Sequence, residues 1–161
     1  EEGRKEKGEG DLVARFFWPW WASFGVGSSA PRLHRSPMPD HRSLQAWRVA
    51  RSVALTAAQA ARDHWKPWAR ALFDQLARAS LSVQLNIAEG WTFSASRTRT
   101  RHLAIAYGSA VEVGEVLSLL ADLHVLPPAV NAKLMGENEL CRRLLVGLLK
   151  RCRPLGKGPE P

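Results

Sequence analysis

Basic residues occur in two groups that could bind an anionic partner. Arg97, Arg99 and Arg101 follow two aromatic residues, Trp91 and Phe93. Arginine beside an exposed aromatic ring can hold RNA through phosphate contacts and base stacking. The spacing leaves a second interpretation open, in which the two rings fold over the end of a helical bundle and the arginines are only solvated. A second basic group lies towards the carboxyl end of the chain, at Arg142, Arg143, Lys150 and Arg151.

The net charge of the whole chain is +8, and most of it lies after residue 37. Residues 1–37 hold six bases and five acids, whereas residues 38–161 hold 17 bases and ten acids. The basic character therefore belongs to the part that we expect to fold, which favours RNA, DNA or another anionic partner. Arg48, Arg51 and Arg62 would add to the second basic group if they face outward.

Four polar residues follow one another at offsets of four, four and three, which places them on one face of a helix. They are Arg78, Ser82, Asn86 and Glu89. Beside a core-facing side, such a stripe needs partners for its charges and its amide. We expect a buried network with Glu112 between two helices, in which Arg78 pairs with an acid. The alternative is that these residues lie at a subunit interface or line a ligand groove.

No pattern in the sequence predicts a catalytic residue, a metal site or a bound cofactor. The five histidines are scattered, and none forms a cluster with cysteine or carboxylate at metal-ligand spacing. Glu112 and Glu115 would need further Glu and His ligands from facing helices, and the chain has no Glu-x-x-His sequence. We therefore expect a non-enzymatic protein, in which His102 is a solvated surface residue.

Four segments carry apolar residues at intervals of three and four, the period of a helix that buries one face. The predicted helices run over residues 43–62, 67–89, 96–123 and 128–151. Short connections between them favour antiparallel neighbours, and so an up-down-up-down four-helix bundle of the all-α class. The predicted core faces are Leu44, Trp47, Ala50, Ala54, Ala57 and Ala61 in the first helix, Phe73, Leu76, Ser80, Val83 and Ile87 in the second, Leu103, Ala106, Ala110, Val113, Leu117 and Leu120 in the third, and Leu134, Cys141, Leu145, Leu148 and Cys152 in the fourth.

Glycine and tryptophan residues give further expectations about the ends and contacts of these helices. Gly90 is expected to stop the second helix in a left-handed conformation. Gly108 and Gly114 each cost about 1 kcal/mol against alanine inside a helix, which suggests close contact with a neighbouring backbone. Trp65 and Trp68 flank the first turn, and we expect them to close one end of the bundle.

The ends of the chain differ from its middle. Residues 1–37 combine a mixed-charge run, an aromatic stretch and a segment rich in glycine, serine and proline, and we expect a disordered or non-native extension. Met38 would then lie near the natural start; the alternative is an aromatic anchor for a membrane surface or a partner. The bundle is expected to span residues 38–153, and residues 154–161 to form a loose tail.

The lack of a long apolar run and the positions of the cysteines indicate where in the cell the protein is expected to be. No run of 18 apolar residues occurs, so we predict no membrane span. Cys141 and Cys152 lie in the last predicted helix, about 16 Å apart along its axis. That distance is too long for a disulfide. Reduced, buried thiols in a cytoplasmic protein are the expected interpretation.

Three motifs occur in order between Asp40 and Leu149. The first helix opens with Leu44-Gln45-Ala46-Trp47. The second contains Gln75-Leu76-Ala77-Arg78-Ala79 and then Ser82-Val83-Gln84-Leu85-Asn86-Ile87-Ala88-Glu89-Gly90. The third contains Leu103-Ala104-Ile105-Ala106-Tyr107-Gly108-Ser109, with Glu112 three residues on. Together they resemble the motifs of the 23S rRNA intervening-sequence proteins, a family of four-helix bundles.

The chain departs from the family pattern at a few positions. Gln84 stands where the family has proline, and Leu85 where it has a small residue. Arg99 and Thr100 replace an acidic–aromatic pair.

The resemblance implies a ring-shaped homopentamer and a small basic scaffold that binds structured RNA or an RNA–protein complex. Similar bundles act as accessory proteins of diversity-generating retroelements, where they contact a reverse transcriptase and nucleic acid, so a role of that kind is the first alternative. The second is an oligomeric interaction module that binds no nucleic acid.

Overall fold

A computed structural model describes residues 40–94 and 97–152 of the chain. It contains four α-helices: α1 (Gln45–His64), α2 (Arg70–Thr92), α3 (Arg97–Asp122) and α4 (Pro128–Cys152). Within the described ranges there is no strand, so the predicted all-α class with four helices is confirmed. The expectations for residues 1–37 and 154–161 fall outside the described residues.

The helices begin within a few residues of the predicted starts, and the differences have a local cause. A turn of 3₁₀ helix precedes α1 at His41–Ser43 and α2 at Pro67–Ala69. The Asp40 carboxylate caps the first of these turns by accepting a hydrogen bond from the Arg42 amide at 3.0 Å. Because the tighter turn takes up the first residues of each segment, the α-helices proper start later than the apolar periodicity indicates.

The helices share two clusters of buried side chains, in an arrangement consistent with a four-helix bundle. Helices α1 and α3 each pack against both α2 and α4. The larger cluster, core A, draws on all four helices through residues such as Ala57, Phe73, Leu117 and Leu134. The smaller cluster, core B, consists of Ala46, Ala50, Val83, Ile87, Leu103, Ala106, Ala110, Cys141 and Leu145.

The predicted core faces of α2 and α3 are confirmed, whereas that of α1 is rotated. In α1 the buried residues are Ala46, Ala50, Val53, Ala57 and Ala60. Trp47 is only half-buried, at the edge of core B, where its ring meets His41 with centroids 5.2 Å apart. Because α1 contributes mainly alanine, its neighbours can approach closely.

Helix α4 buries a polar residue that the apolar periodicity does not reveal. Leu134, Cys141 and Leu145 are buried as predicted, while Leu148 and Cys152 are half-buried. Asn138 lies between Leu134 and Cys141 and is only 4% exposed. Its side-chain amide donates a hydrogen bond to the Ala110 carbonyl at 2.9 Å. This bond satisfies the buried amide nitrogen and connects α4 to α3.

The two cysteines do not form a disulfide with each other. Both are free thiols, with Cys141 buried and Cys152 half-buried. Burial raises the pKa of the Cys141 thiol to about 12, so this residue stays protonated at neutral pH.

The expectation that Gly90 stops α2 is wrong. Gly90 is buried inside the helix, which continues to Thr92 and ends at Phe93 with a φ of −92°, outside the left-handed region. A Cβ atom added at Gly90 would lie 2.9 Å from the Cβ of His102 on α3. Glycine is needed here because α3 passes too close for any side chain.

The two glycines of α3 also differ from expectation. A Cβ added at Gly108 would meet nothing within 4 Å, so the predicted close backbone contact is wrong for this chain alone. At Gly114 an added Cβ would lie 3.4 Å from the Asn138 side-chain nitrogen, a contact with a side chain instead of a backbone. Gly114 therefore leaves room for the buried amide of α4.

The two tryptophans at the first turn do not close the bundle, contrary to expectation. Trp65 and Trp68 are 49% and 65% exposed. Ala69, Val125 and Leu126 are buried in core A at the α1–α2 and α3–α4 connections.

Helix α3 is long and apolar enough, by length and composition, to cross a membrane. Its best window has a mean hydropathy of 1.5, and 39% of that window is buried inside the protein. The same helix contributes seven buried residues, as the central helix of a folded core does. The prediction that the chain has no membrane span stays a prediction.

Substitution of Gly90 by alanine should destabilise the fold, because the added methyl group meets the His102 Cβ and one helix must shift. We expect a loss of about 1–2 kcal/mol in the free energy of unfolding, measured by urea denaturation. Gly136→Ala is the matched control, since nothing lies within 4 Å of that position in α4. It should gain up to about 1 kcal/mol from helix propensity. Equal effects of the two substitutions would contradict the close packing of α2 on α3.

Candidate nucleic-acid interface

The predicted polar stripe of α2 faces a second polar stripe on α3. We call their contact the polar seam: Gln75, Arg78, Ser82, Asn86 and Glu89 on α2 with His102, Ser109 and Glu112 on α3. In its middle the Ser82 and Ser109 hydroxyls are 2.9 Å apart. The Asn86 amide nitrogen donates to the Ser82 carbonyl at 2.9 Å and also approaches the Ser82 hydroxyl at 3.2 Å.

One end of the polar seam is closed by a histidine. The His102 Nδ1 lies 3.1 Å from the Asn86 Oδ1 and 3.5 Å from a Glu89 carboxylate oxygen. The His102 ring also stacks on Phe93, with centroids 5.6 Å apart. The expectation that His102 is a solvated surface residue is therefore wrong, since its side chain is only 18% exposed.

At the other end of the polar seam, Arg78 reaches an acid only through an intermediate. Arg78 donates to the Gln75 side-chain oxygen at 2.5 Å, and the Gln75 amide donates to a Glu112 carboxylate oxygen. Gln75 is not part of the polar stripe predicted from the sequence. Its offset of three from Arg78, which places both residues on one helix face, is the one signal that could have identified it.

The polar seam is not the buried network that the sequence predicts. Arg78, Glu89 and Glu112 are exposed, while Ser82 and Asn86 are half-buried. The offsets of four, four and three fix a shared helix face but not the depth at which the neighbouring helix covers it. The uncharged residues and His102 lie deep enough between α2 and α3 to be partly shielded from water, whereas Arg78, Glu89 and Glu112 do not.

The three predicted arginines at the start of α3 have different surroundings. The Arg99 guanidinium donates to the Phe93 carbonyl, and its Nε lies 3.4 Å from the Gly90 carbonyl. It also covers the Trp91 ring at 4.4 Å from the centroid. Arg99 therefore satisfies the terminal carbonyls of α2, whereas Arg97 and Arg101 are exposed.

The later part of the second predicted basic group, Lys150 and Arg151, lies where the end of α4 meets the start of α3. The Thr100 hydroxyl approaches the Cys152 carbonyl at 3.5 Å. Arg143, Lys150 and Arg151 are exposed.

Arg142, the fourth member of that group, is held by its neighbours. It pairs with Glu139 at 3.1 Å, and its guanidinium carbon lies 5.8 Å from the centre of the Tyr107 ring. A hydrogen bond with the Tyr107 side chain raises the pKa of the Arg142 guanidinium, so it stays charged.

Charge is segregated between the parts of the molecule that surround the two cores. The residues around core B, at 40–51, 82–94, 97–111 and 138–152, include ten Lys or Arg and three Asp or Glu. The residues around core A, at 52–81 and 112–137, include five Lys or Arg and six Asp or Glu. We call the part around core B the basic half. All seven predicted basic residues lie in it.

The basic half also contains two of the three residues that were expected to add to the second basic group if they faced outward. Arg48 and Arg51 belong to it, whereas Arg62 lies in the other half. Arg48 donates to the Arg42 carbonyl at 2.9 Å, and Arg51 lies 5.8 Å from the centre of the Trp47 ring. Arg42 was not predicted, since it precedes the periodic part of the first helix.

Among residues 40–94 and 97–152, no three His, Cys, Asp or Glu side chains are grouped so that they could hold a metal ion. The acids of the polar seam bond to glutamine and histidine within it.

Comparison with protein families gives one match. A family model described as 23S rRNA-intervening sequence protein matches residues 42–147, which include α1, α2 and α3 and most of α4. A search of curated proteins finds no match.

Alanine substitutions along the polar seam should change the free energy of unfolding less at its exposed residues than at its half-buried ones. Arg78→Ala and Glu89→Ala should each change the free energy of unfolding by less than about 1 kcal/mol, because exposed pairs contribute little. Asn86→Ala should cost about 1–2 kcal/mol, since it leaves half-buried partners unpaired. Urea denaturation at two protein concentrations would separate these effects from self-association. A loss of about 3–5 kcal/mol in Arg78→Ala or Glu89→Ala would instead indicate a buried charge network.

Proposed function

Since the chain belongs to the family of 23S rRNA-intervening sequence proteins, we propose that it is a non-enzymatic scaffold that binds structured RNA through its basic half. The observation that carries this proposal is the segregation of charge: ten bases and three acids surround core B. A surface dominated by one sign of charge attracts phosphate groups and raises their local concentration.

The exposed cations of the basic half have the chemistry that phosphate binding requires. Arg97 and Arg101 lie one turn apart on the same face of α3, so both can reach one nucleic-acid backbone. Lys150 and Arg151 extend this surface at the end of α4. Arg99 is not part of the proposed contact, because it holds the end of α2.

We further propose that the four helices run antiparallel, in an up-down-up-down order. Core A takes its residues from the later part of α1 and the earlier part of α2, whereas core B takes the earlier part of α1 and the later part of α2. Helices α3 and α4 divide between the cores in the same way. Successive helices that reverse direction produce this distribution, and short connections favour it.

Self-association into a homopentamer is the assembly that we propose for the scaffold. Support comes from large apolar side chains that the single chain leaves exposed, among them Leu55, Leu81 and Leu85. Leu81 and Leu85 lie four residues apart, on one face of α2. Burying them against a second copy would remove apolar surface from water. Several copies of the basic half would then act on one RNA molecule, which strengthens binding.

Removal of three cations from the basic half should weaken RNA binding. In the triple variant Arg97→Gln, Lys150→Gln, Arg151→Gln we expect at least about a tenfold loss of affinity for an RNA hairpin and a shallower dependence on salt. The triple variant Arg62→Gln, Arg70→Gln, Lys133→Gln changes the net charge equally but lies in the other half. Its affinity should change much less.

Fluorescence anisotropy across a salt series measures both quantities for the wild type and the two triple variants. Equal losses in the two variants would contradict a localised interface. Weak wild-type binding without steep salt dependence would favour the interaction module that binds no nucleic acid.

Light scattering of the full chain at low and high salt should give the mass of a pentamer in both conditions. Leu81→Glu with Leu85→Glu should dissociate it, because a charge in an apolar contact is costly. Met135→Glu is the control on α4, which does not pack on α2. A monomeric wild type would contradict the assembly.

A further inference from the structure

A narrow apolar cleft lies between α3 and α4 in the basic half. Its volume is about 380 Å³, and it is open to solvent. Tyr107, Val146 and Leu149 provide its apolar walls, and Thr100 and Lys150 complete the lining. This volume falls within the range of pockets that hold one small ligand. Neither the family match nor the proposed phosphate contacts assign a role to it.

Tyr107 gives the cleft an aromatic surface whose position is fixed. The residue is half-buried and packs against core B. The Arg142 guanidinium carbon lies 5.8 Å from the centre of the ring. A ring held in this way loses little conformational freedom when a flat group packs beside it.

The charge around the cleft indicates what kind of flat group would enter it. Lys150 lines the cleft itself, and Arg143 and Arg151 are exposed on the same helix. An apolar cleft with Lys150 in its lining and Arg142 beside Tyr107 suits a ligand that is flat and apolar at one end and anionic at the other. An unpaired nucleotide has this combination, because its base has a π-face and its phosphate is charged.

We propose that the α3–α4 cleft binds an unpaired base of the RNA held by the basic half. This inference rests on the proposed function. The base would pack between Val146 and Leu149 and against the Tyr107 ring, while Lys150 contacts its phosphate. A base inside a duplex is stacked and paired, so it cannot enter without the cost of leaving the helix. The cleft therefore makes the protein prefer single-stranded segments, such as the loop of a hairpin, over a continuous duplex.

Tyr107 is a better probe of base binding than the other aromatic residues of the basic half. Trp91 and Phe93 pack on Arg99 and His102 at the junction of α2 and α3. Their substitution would disturb the fold as well as the surface. Tyr107→Leu keeps an apolar side chain against core B but removes the aromatic face. Trp68→Leu is the matched control, an exposed aromatic residue in the other half.

The test compares binding of the full chain to a short single-stranded RNA and to a duplex RNA of the same sequence, by fluorescence anisotropy across a salt series. We expect Tyr107→Leu to weaken single-strand binding about tenfold, the loss typical of one base–aromatic stack. The salt dependence should be unchanged because no phosphate contact is removed. Duplex binding and the Trp68→Leu variant should show no change.

A second variant keeps the test decisive if Tyr107→Leu lowers stability. Val146→Phe fills the cleft and leaves Tyr107 in place, and it should give the same selective loss of single-strand affinity. Unchanged single-strand binding in Val146→Phe, or equal losses for single-stranded and duplex RNA, would overturn the cleft assignment and leave the proposed function standing. Binding of neither RNA by the wild type would overturn the proposed function, and the cleft assignment with it.

Discussion

The close packing of α2 against α3 controls the geometry of the surrounding helices and side chains. Gly90 lets the two backbones approach so closely that an added Cβ would lie 2.9 Å from the His102 Cβ and 3.5 Å from the Arg99 carbonyl oxygen. At that distance the side chains of the polar seam can bond directly, and Arg99 can reach the last carbonyls of α2. The contact therefore sets where α2 ends and which way the first turn of α3 faces.

Concentrating positive charge in one half of a small bundle opposes folding, because like charges repel. The structure offsets this repulsion locally. Core B is built largely from alanine and other small side chains, which allows close helix contact, and the buried Asn138 connects α4 to α3 beside it. Arg99 and Arg142 each bond to neighbouring protein groups. Clustered like charges that repel one another, and so oppose folding, are characteristic of functional surfaces.

The arginines at the start of α3 differ in their surroundings although they belong to one motif. Successive residues of a helix are rotated by about 100°, so Arg97 and Arg101 share a face and Arg99 points elsewhere. Arg99 faces the end of α2 and stabilises it, and its neighbours stay at the surface. The structural interpretation of this motif therefore applies to Arg99, and the proposed nucleic-acid contact involves Arg97 and Arg101.

The all-α class, the four helices and the core faces of α2 and α3 can be predicted from the sequence, because apolar periodicity is a local property of the chain. The sequence also contained both basic groups and the polar stripe. Three features emerge only from the packing of the helices: Gly90 serves close packing, Arg78 and Glu89 are exposed, and the end of α4 meets the start of α3. These facts depend on the rotation and register of one helix against another. Helical periodicity fixes which residues share a face, but it does not fix which neighbour covers that face or how deeply.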